Sequence, residues 1–174
     1  MSDTNSGAPD DAIPALNAEN APRIAIVSQF VKDLSFENPN SPAALHASKT
    51  QPNINLSVDL KARRLTDPNY QVDLHINITA KLAEAQIFLV ELVYSGIFQL
   101  FNIPAENLQP VLLIECPRLI FPFARRIVAD VTRDGGFAPL MMEPIDFASL
   151  YRQQMNIAQA KAKAAGTPPI PTVN

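Results

Sequence analysis

The chain has 174 residues, a length that suits one domain with a core of its own. Apolar residues make up 47% of it and charged residues 18%, a composition too apolar for a wholly disordered protein. A formal net charge of −3 argues against a basic nucleic-acid-binding protein, and a single cysteine excludes an internal disulfide framework and a multi-cysteine zinc site.

The two ends of the chain differ in composition from its body. Residues 1–22 hold four acids, no bases and three prolines, which predicts a disordered acidic arm. Residues 158–174 combine two lysines with three prolines and predict a flexible, proline-rich tail. The body, residues 23–157, holds every aromatic residue. Since the sequence shows neither a signal peptide nor an apolar stretch of membrane-spanning length, we expect a cytoplasmic protein without direct membrane insertion.

Four segments of the body have the period-two pattern of β-strands. The first places Gln29 and Asp33 on one parity and its apolar residues on the other: Ile24, Ile26, Phe30, Leu34 and Phe36. The second and third, 53–61 and 70–82, alternate strictly around a turn at 65–69, and the fourth, 86–100, is apolar on both parities. Short links favour antiparallel pairing, whereas 38–51 is a long crossover loop.

The second half of the body has helical periodicity. A long helix is predicted from about Ala105, with a break or kink where Pro117 and Pro122 fall and an end at Gly135–Gly136. Asp146 is a suitable N-cap for a last helix. Four strands followed by two helices predict an α+β fold, with a four-stranded antiparallel sheet, a long kinked helix and a shorter C-terminal helix.

The fourth strand and the long helix are apolar on more than one face. A strand of this kind needs a cover on both sides, and one domain with two helices offers a limited supply. Association of subunits would bury the remaining apolar surface across a symmetric interface. The alternative is that the helices cover the sheet within one chain.

Residues suited to catalysis are few. Cys116 lies in an apolar run, and the two histidines, His46 and His75, lie in a loop and on a strand face, so a structural cysteine is favoured over a Cys–His nucleophile. Asp33 and Glu37 are roughly 13 Å apart along a strand, too far for a glycosidase acid–base pair. We expect no catalytic activity. The alternative is a small-molecule-binding domain or enzyme that uses Cys116 or His75 in an apolar pocket.

Three features favour binding over catalysis. The acids Asp33, Glu37 and Glu91 would form a patch for an electropositive partner, or they are ordinary solvated residues. The loop 137–142 contains adjacent methionines, which suit variable apolar contacts or fill the core. Apolar residues of the second strand would form the floor of a groove flanked by the crossover loop and last helix, or belong to the core: Ile54, Leu56 and Val58.

Four segments of the body resemble the SecB protein-export chaperones. Residues 32–42, KDLSFENPNSP, are similar to the family pattern KDxSFExPxxP. The resemblance continues in Gly96–Phe98, in the segment CPRLIFPFAR at 116–125, and from Pro139 to Phe147. The first and third segments are long and ordered, and the resemblance covers the body from about residue 24 to 157.

The resemblance implies a cytoplasmic chaperone without catalytic activity. Members hold newly made precursor proteins unfolded and pass them to the SecA motor. They assemble as homotetramers, as a dimer of dimers, with the long helix between the dimers. The zinc of this system belongs to a basic segment in the tail of SecA, so the resemblance implies no cofactor or metal in this chain. A purely structural oligomer is a further alternative.

The resemblance also implies two sets of site residues. The client-binding positions lie in an apolar groove beneath the last helix and crossover loop: Ile54, Leu56, Val58, Met142, Phe147 and Leu150. The SecA-binding positions lie on the sheet surface: Asp33, Glu37, Leu89 and Glu91. Thr50 departs from the family pattern, because many members have Trp before the Gln-Pro pair that opens the second strand. A large aromatic contact of the groove is therefore missing.

Overall fold

A computed structural model describes residues 21–46 and 51–165 of the chain. The predicted α+β fold is confirmed, with four antiparallel strands followed by a long helix and a C-terminal helix. The strands are β1 (Arg23–Glu37), β2 (Asn53–Arg64), β3 (Asn69–Leu82) and β4 (Ala85–Phe101). The helices are α1 (Ala43–His46), α2 (Ala105–Pro110), a π-helical segment (Val111–Glu115), α3 (Cys116–Asp134) and α4 (Phe147–Ala165).

Several predicted features fall outside the described residues. They are residues 1–20 of the acidic arm, Thr50, and residues 166–174 of the proline-rich tail. Inside the described part, α4 continues to Ala165, eight residues into the stretch 158–174 that was predicted as tail. Alanine and lysine dominate those eight residues, and both favour helix.

The sheet has the strand order β1-β4-β3-β2, so β1 and β2 form its two edges. β2 and β3 form a hairpin closed by the predicted turn at 65–69, and β3 and β4 form a second hairpin around Ala83 and Glu84. The chain crosses from one edge of the sheet to the other between β1 and β2, and α1 is a single turn inside this crossover segment. The antiparallel pairing predicted from the short links is confirmed.

Two bulges in β1 change the faces predicted from simple alternation. The register against β4 shifts between Ile26 and Ser28, and again between Val31 and Asp33. Each bulge inserts one residue and exchanges the two faces of the strand. Phe30 therefore lies opposite Ser95, on the face away from the helices, and the prediction that it shares a face with Ile26 is wrong.

The long helix covers one face of the sheet, which we call the inner face; the opposite face is the outer face. The inner face carries the buried residues of the two central strands: Val72, Leu74, Ile76, Ile78, Ala80, Phe88, Val90, Leu92, Tyr94, Phe98 and Leu100. α3 faces them with residues at four-residue intervals: Cys116, Ile120, Ala124, Val128 and Thr132. At Gly96, a Cβ atom would lie 3.1 Å from Ile120 Cγ2, so glycine permits the close approach of α3.

The irregular part of the long helix differs from its prediction. Of the break or kink expected at Pro117 and Pro122, a break does not occur, because the helical hydrogen-bonded segment α3 continues through both residues. The irregularity lies one turn earlier, in the π-helical segment Val111–Glu115. Pro117 is tolerated in the first turn of α3, where its missing N–H has little consequence. None of the helices described is both long enough and apolar enough to cross a membrane.

Candidate functional site

The structure brings four predicted SecA-binding residues together on the outer face, where they form what we call the acidic cluster: Asp33, Glu37, Leu89 and Glu91. Glu37 lies opposite Leu89, and Ser35 between the two β1 acids lies opposite Glu91. Directly opposed side chains on one face are about 5 Å apart at Cβ, and next-but-one neighbours about 7 Å.

The acidic cluster combines exposed charge with a partly covered apolar side chain. Asp33, Glu37 and Glu91 are exposed, whereas Leu89 between them is half-buried. None of the three carboxylates forms an ion pair with another residue in the described ranges. The nearest base in sequence, Lys32, bonds Asp73 instead. The cluster thus presents three uncompensated acids around an apolar centre.

An open groove with a volume of about 710 Å³ lies at the end of the sheet where the crossover segment passes. Its lining is mostly apolar and comes from four parts of the chain: the crossover segment, the start of β2, the β3–β4 hairpin and the loop after α3. The lining includes Leu45, Ile54, Ile87, Phe88, Phe137 and Leu140. Because none of the described residues that line it is charged, the groove can accept apolar segments without a fixed polar pattern.

A row of three aromatic rings supports this groove. Phe88 stacks with Phe36 at 6.1 Å between ring centroids and contacts Phe137 at 5.1 Å. At Gly135, a Cβ atom would collide with the Phe36 ring, so the chain can leave α3 here only without a side chain. Gly136 has φ of +90°, a conformation that glycine adopts readily and other residues rarely do. This geometry directs Phe137 back towards the sheet.

The loop after α3 is also tied to the helix by hydrogen bonds. The Thr132 hydroxyl, which is fully buried, donates to the Val128 carbonyl at 2.9 Å and accepts from the Leu140 N–H at 2.9 Å. The Phe137 N–H donates to the Thr132 carbonyl at 3.1 Å. These bonds fix the wall of the groove that the loop forms.

The six predicted client-binding residues occupy three kinds of environment. Ile54 lines the groove, and Leu56 follows it along the inner face of β2; their exposed fractions are 36% and 40%. Val58 and Leu150 are half-buried against the core. Met142 and Phe147 are buried, with exposed fractions of 4% and 1%, so in this conformation neither offers surface to a ligand.

The last helix, which the sequence led us to expect beside the groove, contributes none of the described residues that line it. The Asp146 carboxylate accepts from the Ser149 N–H at 3.0 Å, which confirms the predicted cap of α4. Phe147 packs edge-on against Phe121 of α3 at 5.9 Å. Gln154 reaches Asp59 of β2 at 3.3 Å. The far wall of the groove is therefore the loop 136–140, where α4 had been predicted.

Sequence reasoning missed several residues of the groove. Phe88 lies in the fourth strand, which the sequence showed to be apolar on both parities; it is buried, and its ring also lines the groove. Ile87 is the extra residue of an irregularity between β3 and β4, and Leu45 lies on the one-turn helix α1. The methionines of the loop 137–142 differ: Met141 is exposed, whereas Met142 is core. The glycine pair ahead of Phe137 was the available signal for a loop that turns back.

The structure disfavours Cys116 as a nucleophile. Burial, with a smaller contribution from the charge of Glu115, raises the pKa of the Cys116 thiol to about 12. The thiol is fully buried and stays protonated at neutral pH, whereas a reactive cysteine needs a thiolate. In the described part of the chain, no three His, Cys, Asp or Glu side chains are grouped so as to hold a metal ion.

Comparisons with known proteins agree with this fold. A family model described as "Preprotein translocase subunit SecB" matches residues 17–158. The protein-export protein SecB of Parvibaculum lavamentivorans is 50% identical over 167 residues, which cover 95% of this chain and 98% of that protein. The protein of the same description from Rhodopseudomonas palustris (strain BisB18) is 48% identical over 160 residues, covering 92% of this chain and 94% of the relative.

A solved structure shares the fold at much lower sequence identity. It is a SecB-like chaperone of Mycobacterium tuberculosis in complex with a ChAD peptide from an antitoxin. The TM-score is 0.58 at 14% identity, and the match covers 71% of this chain and 91% of that one.

Proposed function

The chain belongs to the SecB family, and on that premise we propose that it is a cytoplasmic export chaperone. It holds unfolded precursor proteins in the apolar groove, keeps them competent for translocation, and delivers them to SecA through the acidic cluster. The observation that supports this proposal is that two chemically different surfaces, an apolar groove and an acidic cluster, lie on opposite faces of one sheet. A client and SecA can then be bound at the same time.

The groove suits ligands that differ in sequence. Unfolded chains expose apolar and aromatic segments, and removal of these from water drives their binding. The exposed apolar side chains of β2, Ile54 and Leu56, extend the groove along the sheet and lengthen the surface available to an extended chain. Leu150 and Val58, which are half-buried, extend this surface, while Met142 and Phe147 are buried in the core.

The acidic cluster suits a basic partner. Three exposed carboxylates that form no ion pair within the described residues attract positive charge, and the half-buried Leu89 among them offers an apolar contact that fixes the docked position. The SecA tail, with its basic zinc-binding segment, has this chemistry. We expect its binding to weaken as salt is added, because exposed charges are screened beyond about 10 Å at 0.1 M ionic strength.

Apolar surface that one chain leaves uncovered supports assembly into a homotetramer. Ile26, Val31 and Leu34 of β1 are exposed on the inner face, where α3 gives little cover. Leu119 and Phe123, one turn apart on α3, are exposed as well. Association of subunits would bury these residues, and binding of one client across several subunits would add avidity. Light scattering should give a mass of four chains; a monomer mass would contradict this part of the proposal.

Two variants, each with several substitutions, test the proposal. Titration calorimetry measures the affinity of each for an unfolded precursor and for the SecA tail peptide. Ile54→Ala, Leu56→Ala and Val58→Ala together should weaken precursor binding at least about tenfold and leave the SecA affinity unchanged. The matched control truncates the opposite face of the same strand, with Asn53→Ala, Asn55→Ala and Ser57→Ala, and should change neither affinity.

Charge reversal should have the reciprocal effect. Asp33→Lys with Glu37→Lys should weaken SecA binding by about 100-fold at low salt and leave precursor binding within twofold. Glu84→Lys with Glu106→Lys changes the net charge equally at sites outside the cluster and serves as the control. Two results would contradict the proposal. One is an equal loss of precursor affinity and SecA affinity in both the triple-alanine variant and the charge-reversed variant; the other is an undiminished SecA affinity in the charge-reversed variant.

A further inference from the structure

Next to the acidic cluster, the outer face carries a second group of polar residues, in which three buried side chains meet two exposed basic ones. We call it the Asp73 cluster: Lys32, Arg63, Gln71, Asp73 and Ser95. Asp73 is only 7% exposed, and its carboxylate accepts hydrogen bonds from Gln71 Nε2 at 2.6 Å and Ser95 Oγ at 2.7 Å. Lys32 Nζ lies 2.6 Å from Asp73 Oδ2, and Arg63 bonds Gln71 Oε1 at 2.6 Å.

The position of Lys32 in this cluster is unusual. Val31 pairs with Tyr94 and Asp33 with Val93, so Lys32 is the inserted residue of the second β1 bulge. β3 lies two strands away, roughly 10 Å from β1 at the usual strand spacing. The lysine side chain therefore extends over β4 to reach Asp73, and the ion pair joins residues 41 apart in sequence.

The bulge decides which face the β1 acids occupy. Without it, Asp33 would pair with Leu92 instead of Val93, since the register would continue unbroken from Val31 and Tyr94. Side chains alternate between faces, so a shift of one residue would place Asp33 and Glu37 on the inner face. The acidic cluster would then lose two of its four residues.

We propose that the ion pair between Lys32 and Asp73 is a positioning device, which holds the second bulge of β1 and thereby places Asp33 and Glu37 in the acidic cluster. The role assigned to that cluster rests on the proposed function; the effect of the ion pair on the register does not. Lys32 acts through the two acids and need not touch the partner itself. A bulge without such an anchor can shift along the strand, because Lys32 has no backbone partner of its own in the register.

The chemistry of Asp73 fits a structural ion pair. Burial acts to raise the pKa of Asp73, but hydrogen bonds from Gln71, Lys32 and Ser95, together with the charge of Lys32, lower it by more, so the pKa lies below its ordinary value. The carboxylate is therefore charged at neutral pH and needs its lysine, since an unpaired buried charge is strongly unfavourable.

The test uses the full-length chain and the SecA tail peptide, and the sign of the effect separates two explanations. Lys32→Met removes a positive charge beside the acidic cluster, so charge alone predicts tighter binding of a basic peptide. Positioning predicts binding about tenfold weaker. Lys61→Met is the matched control. Lys61 is exposed and lies opposite Asp73 in the register of β2 and β3, and its replacement changes the charge of the same face equally. This control should bind unchanged or slightly more tightly.

Hydrogen exchange gives a readout that does not depend on SecA. The amides of 33–37 should exchange at least about tenfold faster in Lys32→Met than in the unsubstituted chain, while those of β2 and β3 should change little. Asp73→Asn removes the other partner and should reproduce both effects, and the double variant should be no worse than either single one. If Lys32→Met does not fold, the exchange of 33–37 in Asp73→Asn tests the positioning role, because the loss of a negative charge would by itself weaken the binding of a basic peptide.

The results distinguish the positioning role from the proposed function. Unchanged or tighter peptide binding in Lys32→Met, or unchanged exchange at 33–37, would overturn the positioning role even if Asp33→Lys with Glu37→Lys abolishes SecA binding. If that charge reversal leaves SecA binding intact, the proposed function fails. Faster exchange at 33–37 in Lys32→Met would still support the positioning role in that case.

Discussion

The acidic cluster and the groove are built from the same sheet in different ways. The cluster comes from two adjacent strands, and its geometry follows from backbone register, in which Glu37 opposes Leu89 and Ser35 opposes Glu91. The groove collects side chains from four separate parts of the chain and depends on how a loop and a crossover segment pack. A register fixes the spacing of charges and suits one defined partner. The apolar lining of the groove sets no pattern of charges, which suits ligands that differ in sequence.

The largest expected effect compares the two faces of one strand, β4. Phe88 is buried between Phe36 and Phe137, and Phe88→Ala should lower the free energy of unfolding by about 3–5 kcal/mol. Glu91→Ala, on the exposed outer face, should change it by no more than about 0.5 kcal/mol. Urea unfolding at a fixed protein concentration measures both. Similar losses of unfolding free energy in the two variants would show that the inner side of β4 contributes no more to stability than its outer, acidic side.

A smaller effect should depend on pH. Because the pKa of Asp73 is lower in the folded chain than its ordinary value, its contribution to stability is present above the unfolded pKa of about 4 and lost as the pH falls through the folded pKa. Asp73→Asn should therefore destabilise the chain by about 1–3 kcal/mol at pH 7. The difference should shrink below pH 4 in urea unfolding curves.

A matched substitution makes this second comparison sharper. Asp33→Asn changes an exposed acid on the same face and should alter stability by no more than about 0.5 kcal/mol at pH 7. A loss of stability as large as that of Asp73→Asn would mean that the acidic cluster, and not only the buried Asp73 beside it, supports the fold.

The smallest effect is expected from modification of Cys116, which is buried between α3 and the inner face of the sheet. Burial raises the pKa of Cys116 to about 12, so the native thiol should not react with iodoacetamide at pH 8 during a time that labels the urea-unfolded chain completely. Exposure of the native protein to the reagent should leave precursor and SecA binding unchanged. Rapid labelling of the native chain with loss of either activity would instead favour a function for the thiol.

Local sequence patterns were sufficient to predict most of the secondary structure elements and their order. Strict alternation over 53–61 and 70–82 predicted β2 and β3 with their faces, and the residues 65–69 predicted the turn between them. Gly135–Gly136 marked the end of the long helix, and Asp146 the cap of the last one. These signals act within a few residues, through backbone sterics and nearby hydrogen bonds, so they can be read without knowledge of the fold.

The faces of β1 could not be predicted in the same way. Simple alternation put Phe30 on the same face as Ile26. The first bulge moves Phe30 to the other face, and the second bulge reverses the change for the residues that follow. A bulge depends on the partner strand and on contacts far along the chain, here the bond from Lys32 to Asp73. Alternation still assigned Asp33 and Glu37 to one face, because both follow the second bulge.

The lining of the groove could not be predicted from the sequence pattern alone either. Of the residues that the sequence proposed for client binding, Ile54 lines the groove, whereas Met142 and Phe147 are buried; Leu45 and Phe88, which it did not propose, also line the groove. An apolar side chain is equally consistent with core and with an open groove. Only the position of neighbouring segments decides how much of it water reaches.

The sequence by itself determined the α+β element order, the apolar excess, the uneven charge and the SecB resemblance, because each of these follows from residues close together in the chain. Tertiary structure decided where that apolar excess stays exposed, at the groove and along β1 and α3, and which face carries the acids. Those outcomes depend on strand register and on packing between distant segments, where a shift of one residue exchanges one face for the other.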